Sequence, residues 1–441
     1  MKKLLACCLV LAMLFSACSA GGTQASSEST AAASSESTSE PVGEESRYQG
    51  KIVYWSMWNP TEPQGMVISE AVEEFETQNP GTEIEVVFNG RDNRNMVVPA
   101  LEGGQEIDVF DHTLDVILDQ TSAFSGHLLE MDQYMTTVYP GGEGKTLEEA
   151  LTPLYIDLAR QLSSDGKLYA IPYQPYLRAF MYNKEHFEKA GIEKTPETWD
   201  ELLDVCAKLK AAGYNPITTD DAYAYMNLGY QLCRYKGQQF VHDLVMGDES
   251  WEDEGVMQAL KDYENLANQG YFSPNVISNV WPAGQQEMAA GTASMYVNGT
   301  FLVNELMPAT GPDFQWGVFA YPAVENGVEG TDANIFSSQC FAVSKDTKNP
   351  ELAMAFIAYM TTGKYDEKLA ADTYGIPMGL DTSWPTQLED AKQILADTTI
   401  RYPAYTTIRD NADLQPVISS NFIKLIGGQI TAEEFVAEMK Q

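Results

Sequence analysis

The sequence predicts an α/β fold arranged as two lobes. Two observations carry that expectation. From Tyr48 to Gln441 the composition is ordinary, over a length too great for one compact core. The first part of that stretch also alternates strand-like with helix-like patterns, which implies a parallel sheet with right-handed crossovers.

The elements follow in order. Lys51-Ile-Val-Tyr-Trp55 reads as a first strand. A helix is expected from about 64 to 78, with Val67, Ala71, Val72 and Phe75 on one face, and Asn79-Pro80-Gly81 stops it. Ile84, Val86 and Phe88 alternate as in a strand with one buried face, a helix over 94–102 follows, and Ile107-Asp-Val-Phe110 is a short strand. Ligands of such sheets bind outside the carboxyl ends of the strands, where Ser56-Met-Trp-Asn59 and Asp111-His-Thr113 lie. Further on, Thr195-Pro196-Glu197 reads as a cap with proline at the first helical position. Trp199, Leu202, Leu203, Cys206 and Leu209 then recur at helical spacing up to Gly213. Ala293-Ser-Met-Tyr-Val297 is strand-like and runs into Asn298-Gly299, and Asn349-Pro350 opens a helix through Ala353, Phe356 and Met360. No repeat of solenoid period is visible.

The N-terminus carries a different message. Lys2 and Lys3 precede an apolar run from Leu4 to Phe15, too short to span a bilayer, and small residues follow: a signal peptide over 1–17. Phe15-Ser16-Ala17-Cys18 resembles a bacterial lipobox, with Phe where Leu is usual, and that resemblance implies lipid on Cys18. Residues 18–48 are rich in Ser, Thr, Ala, Gly and Glu, which bury too little to offset ordering entropy, so they are expected to form a disordered tether. The expected location is the extracellular face of a cell membrane, held by the lipid anchor alone.

A formal net charge of -36 argues against a nucleic-acid partner, and against an anionic ligand held by a broadly basic groove. Of six cysteines, Cys206, Cys233 and Cys340 remain after Cys7, Cys8 and Cys18 are assigned to the signal and the anchor. Their odd number and wide spacing point to buried free thiols, not to disulfides or zinc. His112, His127, His186 and His242 are scattered without metal spacing. No metal, no cofactor and no catalytic residue is expected.

Several segments together resemble the family 1 extracellular solute-binding proteins of ABC importers. They are Tyr169-Ala-Ile-Pro-Tyr173, Met181-Tyr-Asn-Lys-Glu-His-Phe-Glu-Lys-Ala-Gly191, Pro196-Glu-Thr-Trp-Asp-Glu-Leu202, Gly291-Thr-Ala-Ser-Met-Tyr-Val-Asn-Gly299, Phe341-Ala-Val-Ser-Lys345 with Lys348-Asn-Pro-Glu351, and Gly375-Ile-Pro377. The resemblance covers the body from about Lys51 onward. It implies a periplasmic-binding-protein-like fold of two discontinuous lobes on a hinge: 49–155 with about 300–350, and 156–299 with about 351–441. It also implies a carbohydrate ligand, a membrane permease as partner, and a monomer.

The residue types at the expected strand ends suit a sugar. An aromatic ring packs on the apolar face of a pyranose, and Asp, Asn and Gln bond its hydroxyls. The expected ligand residues are Trp58, Asn59 and Asp111 on one lobe. On the other they are Tyr173, Gln174, Asp221, Tyr225, Trp281, Asn298 and Phe301. A binding protein for a polyamine or peptide remains an alternative, since acids boxed by rings suit a polyamine. A lipid-anchored glycoside hydrolase would need two opposed carboxylates, but no segment resembles a hydrolase, and neither a G-x-S-x-G elbow nor an H-E-x-x-H motif occurs.

Overall fold

The computed structural model describes residues 48–118 and 122–440. The expected signal peptide, the lipidated Cys18 and the tether (Tyr48 apart) lie outside the described residues.

Among the described residues, one mixed sheet of nine strands organises the body. In chain order the strands are β1 (Gly50–Ser56), β2 (Thr82–Phe88), β3 (Val109–Thr113), β4 (Ala170–Asn183), β5 (Asn215–Thr218), β6 (Ala293–Gly299), β7 (Trp316–Phe319), β8 (Ala333–Val343) and β9 (Ile400–Tyr402). The sheet runs β2-β1-β3-β8-β4-β6-β5, with β7 on β4 and β9 on β8. β1 is parallel to β2 and β3, and β5 is parallel to β6. Between these two parallel groups lie the long strands β4 and β8, antiparallel to each other, with β8 also antiparallel to β3 and β4 to β6.

β4 is the element that the sequence hides. Pro172 and Pro175 argue against a central strand, because proline cannot donate to the ladder. The structure admits both through a register shift between Tyr173 and Pro175 against β8, where Gln174 takes φ 49°. The bulge lets the extra residue leave the ladder while both flanks stay paired.

Helix starts follow local chemistry. The helix Pro63–Gln78 opens on a proline and buries Val67, Ile68, Ala71 and Phe75. The expected cap at Thr195 is displaced. The helix Trp199–Ala211 starts after Thr198, whose hydroxyl accepts from the Glu201 amide while the Glu201 side chain returns to the Thr198 amide. A reciprocal capping box stabilises a start by about 1 kcal/mol, enough to place it three residues on. Cys206, Cys233 and Cys340 are free and buried.

Two hydrophobic cores flank the sheet. Alternate residues of the shared strands feed opposite cores, as the two-residue period of a strand dictates. In β4, Leu177, Ala179 and Met181 enter the first core, and Phe180 and Tyr182 the second. In β6, Tyr296 enters the first, and Met295 and Val297 the second. Residues 352–395 pack into the first core. The helix Pro350–Thr361 is buried on all sides in the first core, with Phe356 edge-on to Phe75 (centroids 5.7 Å apart) and beside Tyr54 (6.2 Å). Its apolar side chains seek the face of Pro63–Gln78, whereas 402–436 supply the second core.

Candidate ligand-binding site

Each group of parallel strands ends in a buried acid. At the β1/β3 end this is Asp111, 1% exposed. Its Oδ1 accepts from the Met57 amide (2.5 Å). Its Oδ2 accepts from the hydroxyls of Tyr173 (2.6 Å), Tyr54 (2.7 Å) and Ser56 (3.2 Å). Four donors occupy the lone-pair sites of a carboxylate. Burial still pushes its pKa up to about 6, against those hydrogen bonds.

The neighbouring aromatic residues are held just as firmly. Trp58 is buried, and its Nε1 donates to the Tyr173 hydroxyl (2.7 Å). The Arg91 guanidinium lies 4.4 Å from the Trp58 ring centre, fixed by Glu62 (2.8 Å) and the Met57 carbonyl (2.7 Å). Tyr173 stacks on Phe341 with centroids 4.1 Å apart. Asn59 is exposed and bonded to Glu62 (3.1 Å). The buried Gln174 donates to Thr373 at the end of the helix Gly363–Thr373. The structure therefore gives Trp58, Asp111, Tyr173 and Gln174 internal partners.

The β5/β6 end is different. Asp220, 0% exposed, follows two residues after Thr218, the last of β5. One carboxylate oxygen accepts from the Tyr296 hydroxyl (2.8 Å); the other makes no well-aligned hydrogen bond, although the Ala222 and Tyr223 amides lie near enough to favour the charged form. The register pairs Thr218 with Tyr296, so Asn298 continues β6 alongside Asp220. Its Oδ1 accepts from the Gly299 amide (2.7 Å), and its buried Nδ2 has no partner. Thr219 Oγ1 and Gln285 Oε1 are likewise buried and unpaired. Gln285 adjoins Gly284, which packs so closely on the Thr219 backbone that a Cβ there would stand 2.5 Å from the Thr219 carbonyl oxygen. Burial, with Asp221 beside it, pushes the Asp220 carboxyl up to about 6, opposed by the Tyr296 hydroxyl and by the Ala222 and Tyr223 amides. Burial also raises Glu305, a side chain that keeps solvent contact and feels Arg91 and Arg178.

Aromatic residues surround this edge. Trp281 is 48% exposed, and its amide donates to Asp221 Oδ1 (2.8 Å), which ties the 279–285 loop to the end of β5. Tyr223 stands edge-on to Tyr296 (6.3 Å). Tyr225 is buried and stacks on Tyr405 (5.7 Å), and Phe301 meets Tyr176 edge-on (5.7 Å). A cavity of about 1160 Å³ opens elsewhere, lined by Tyr182, Phe187, Pro196 and Asp390. It holds none of these residues, and Lys184 and Lys194 at its wall are ion-paired.

Of the expected residues, Asp221, Tyr225, Trp281, Asn298 and Phe301 come together at the β5/β6 edge. Trp58, Asp111 and Tyr173 are joined to one another at the β1/β3 end, Asn59 is bonded to Glu62 and Gln174 to Thr373, and Glu305 feels both Arg91, beside Trp58, and Asp220. Sequence reasoning missed Asp220, Gln285, Arg178 and Tyr405. Asp220 was within reach, as an acid just past a strand. Arg178 is a lone cation inside an apolar strand, and Tyr405 carries no local signal.

A family model described as "Bacterial extracellular solute-binding protein" matches residues 59–367. A Brucella abortus (strain 2308) protein named as a binding protein is 27% identical over 297 residues, 65% of each chain. The chain thus spans about 65% of the length of the first such relatives. The multiple sugar-binding protein of Streptococcus mutans is 24% identical over 230 residues, 50% of this chain and 54% of that one. Among solved structures, a chitin oligosaccharide binding protein superposes with a TM-score of 0.68 at 21% identity, covering 89% of this chain and 97% of the other.

Proposed function

Given that this chain belongs to the family of bacterial extracellular solute-binding proteins, we propose that its ligand is a carbohydrate, trapped at the β5/β6 edge and handed to a membrane permease. One observation carries the ligand class. Asp220 Oδ1, Asn298 Nδ2, Thr219 Oγ1 and Gln285 Oε1 are buried and unpaired at one edge of the sheet, among tyrosine rings. Each unpaired polar atom costs about 1–3 kcal/mol unless something bonds it. Two acceptors, a donor and a hydroxyl beside apolar rings match the mixed hydroxyl and C–H surface of a sugar. The sugar-binding relative and structural neighbour support the same reading.

In this reading β4 and β8, shared by both cores, act as the hinge strands. The ligand favours closure only through interactions that form when the lobes close. Binding needs no covalent step, so the protein acts as a carrier and not as an enzyme. A lipid on Cys18 would keep the monomer at the extracellular face of its membrane, next to the permease. Calorimetry against a panel of oligosaccharides tests the ligand class: at least one should bind in the micromolar range or tighter and be recovered intact. Tight polyamine binding without any saccharide binding, or release of reducing ends, would overturn the reading.

A further inference from the structure

Two arginines are buried among tyrosines in this chain, and their donors fare differently. Arg234, 0% exposed, has its guanidinium carbon 5.6–5.7 Å from the rings of Tyr230, Tyr321 and Tyr402. Its Nε, Nη1 and Nη2 all reach oxygen: the Pro322 carbonyl (3.1 Å), the Tyr402 hydroxyl (2.8 Å) and the Tyr321 carbonyl (2.9 Å). Tyr402 in turn donates to Glu329, which supplies the balancing charge.

Arg178, 5% exposed, stands in a similar box. Its guanidinium carbon is 4.3 Å from the ring of Tyr405, 5.6 Å from Tyr176, and 5.7 Å from Tyr223 and Phe301. Here the donors are poorly matched. Nε has no partner, Nη1 reaches the Met226 sulfur (3.4 Å), and the Tyr405 side chain is the polar group that attends the guanidinium. Among the described residues the arginines in ion pairs are Arg91, Arg160 and Arg401. Asp115, which like Arg178 acts on Tyr176, is engaged by Arg401 (2.5 Å) and Ser337. Glu305 feels Arg178 and Arg91 but forms an ion pair with neither among the described residues.

A second cation reinforces the first. Arg409, exposed and without an ion pair among the described residues, has its guanidinium carbon 3.8 Å from the centre of the Tyr405 ring. Arg178 and then Arg409 pull the Tyr405 phenol below its ordinary pKa. The turn that presents Tyr405 is built at a cost. Tyr405, Thr406 and Thr407 take φ of 70°, 55° and 65°, a left-handed run that β-branched residues resist and that clusters at ligand clamps. Gly229 makes room for it, since a Cβ there would stand 1.6 Å from the Thr406 hydroxyl. Tyr176, Tyr223 and Phe301 connect the box to the Asp220–Asn298 edge.

A desolvated cation with a free donor, kept in a strained frame, is matched by an anionic oxygen group. We propose that Arg178 and Arg409, both set against the Tyr405 ring, form an anion subsite, and that the solute is an acidic saccharide. The shared chemistry is a carboxylate or phosphate on a polyol, supplied by a uronic acid or by a phosphate ester. This proposal rests on the carbohydrate reading above. It is compatible with the strongly acidic surface, because the positive charge is confined to one pocket wall instead of a basic groove.

The test is calorimetry of the full chain against three sets of ligands: neutral oligosaccharides, their uronate-containing counterparts, and sugar or polyol phosphates. One acidic set should bind about 100-fold more tightly than its neutral match, the scale of a charge-assisted hydrogen bond. Which set responds identifies the anion. Arg178→Met should abolish the preference, bringing the affinity for the acidic ligand down to that for its neutral match. Arg409→Gln, an exposed position that leaves the fold intact, should reduce the preference several-fold and flatten its salt dependence. Neutral and acidic ligands binding equally, or Arg409→Gln and Arg178→Met both keeping the preference, would overturn the anion subsite and leave the carbohydrate reading standing. Failure of every saccharide and phosphate to bind would overturn both.

Discussion

The two parallel edges of the sheet end in the same kind of residue and treat it in opposite ways. At the β1/β3 edge, Asp111 accepts four hydrogen bonds, and Trp58, Tyr173 and Arg91 close over it. At the β5/β6 edge, Asp220 keeps one oxygen unpaired, and Asn298, Thr219 and Gln285 each keep a polar atom free. Both acids are buried and both are pushed up to about 6. Burial or a shifted pKa alone therefore does not distinguish the two acids. What separates them is how many partners the protein itself supplies, four to Asp111 against the Tyr296 hydroxyl as the well-aligned donor to Asp220.

That contrast can be broken most directly at Trp58. Trp58→Ala should cost about 4 kcal/mol of folding stability, the range for deleting a buried indole, read as a lower denaturant midpoint. Ligand loss without destabilisation would move Trp58 to the ligand side of the comparison. Asp111→Ala comes next, at about 3 kcal/mol, because it strands the Tyr54 and Tyr173 hydroxyls and the Met57 amide. At the other edge, Asp220→Ala should weaken ligand binding by about 2 kcal/mol while the melting temperature falls much less than in Asp111→Ala. Equal destabilisation by the two alanine variants would erase the difference between the edges.

Acidity sharpens the same point. The Asp220 carboxyl is raised to about 6 in the folded protein from 3.8, so the folded state holds its proton more tightly. The stability linked to this group is present below 3.8 and lost as pH rises through about 6. Binding should run the other way if the ionised carboxylate accepts the ligand's hydroxyls: affinity should fall as pH drops through about 6, and Asp220→Asn should remove that dependence. A pH-independent affinity in the parent protein would count against Asp220 as an acceptor. The smallest effect is expected at Trp281. Trp281→Ala should leave the fold unchanged and cost about 1 kcal/mol of binding, on the scale of one aromatic contact.

Much of the fold was legible because it is written locally. The first strand, the helix Pro63–Gln78, β2 and β6 all follow from periodicity and from proline, glycine and asparagine stops. The motif order carried the family, and the buried free thiols followed from cysteine counting. β4 was hidden because two prolines contradict a central strand until a bulge in the partner's register absorbs them. The cap at Thr198 was hidden because two candidate threonines flank Pro196, and only the reciprocal bond to Glu201 chooses between them.

The sequence by itself determined the class of fold, the family and the kinds of residue available to a ligand, since composition, period and motif order are properties of neighbours along the chain. Only the tertiary structure decided which of those residues keep polar atoms unpaired. Asp111 and Asp220 look alike as acids after a strand. Whether their oxygens are paired depends on Tyr173, 62 residues from Asp111, and on Tyr296, 76 residues from Asp220. The Arg178 box draws in Tyr405 from still farther along the chain. Hydrogen-bond satisfaction is settled among groups brought together by folding, so it cannot be read from spacing.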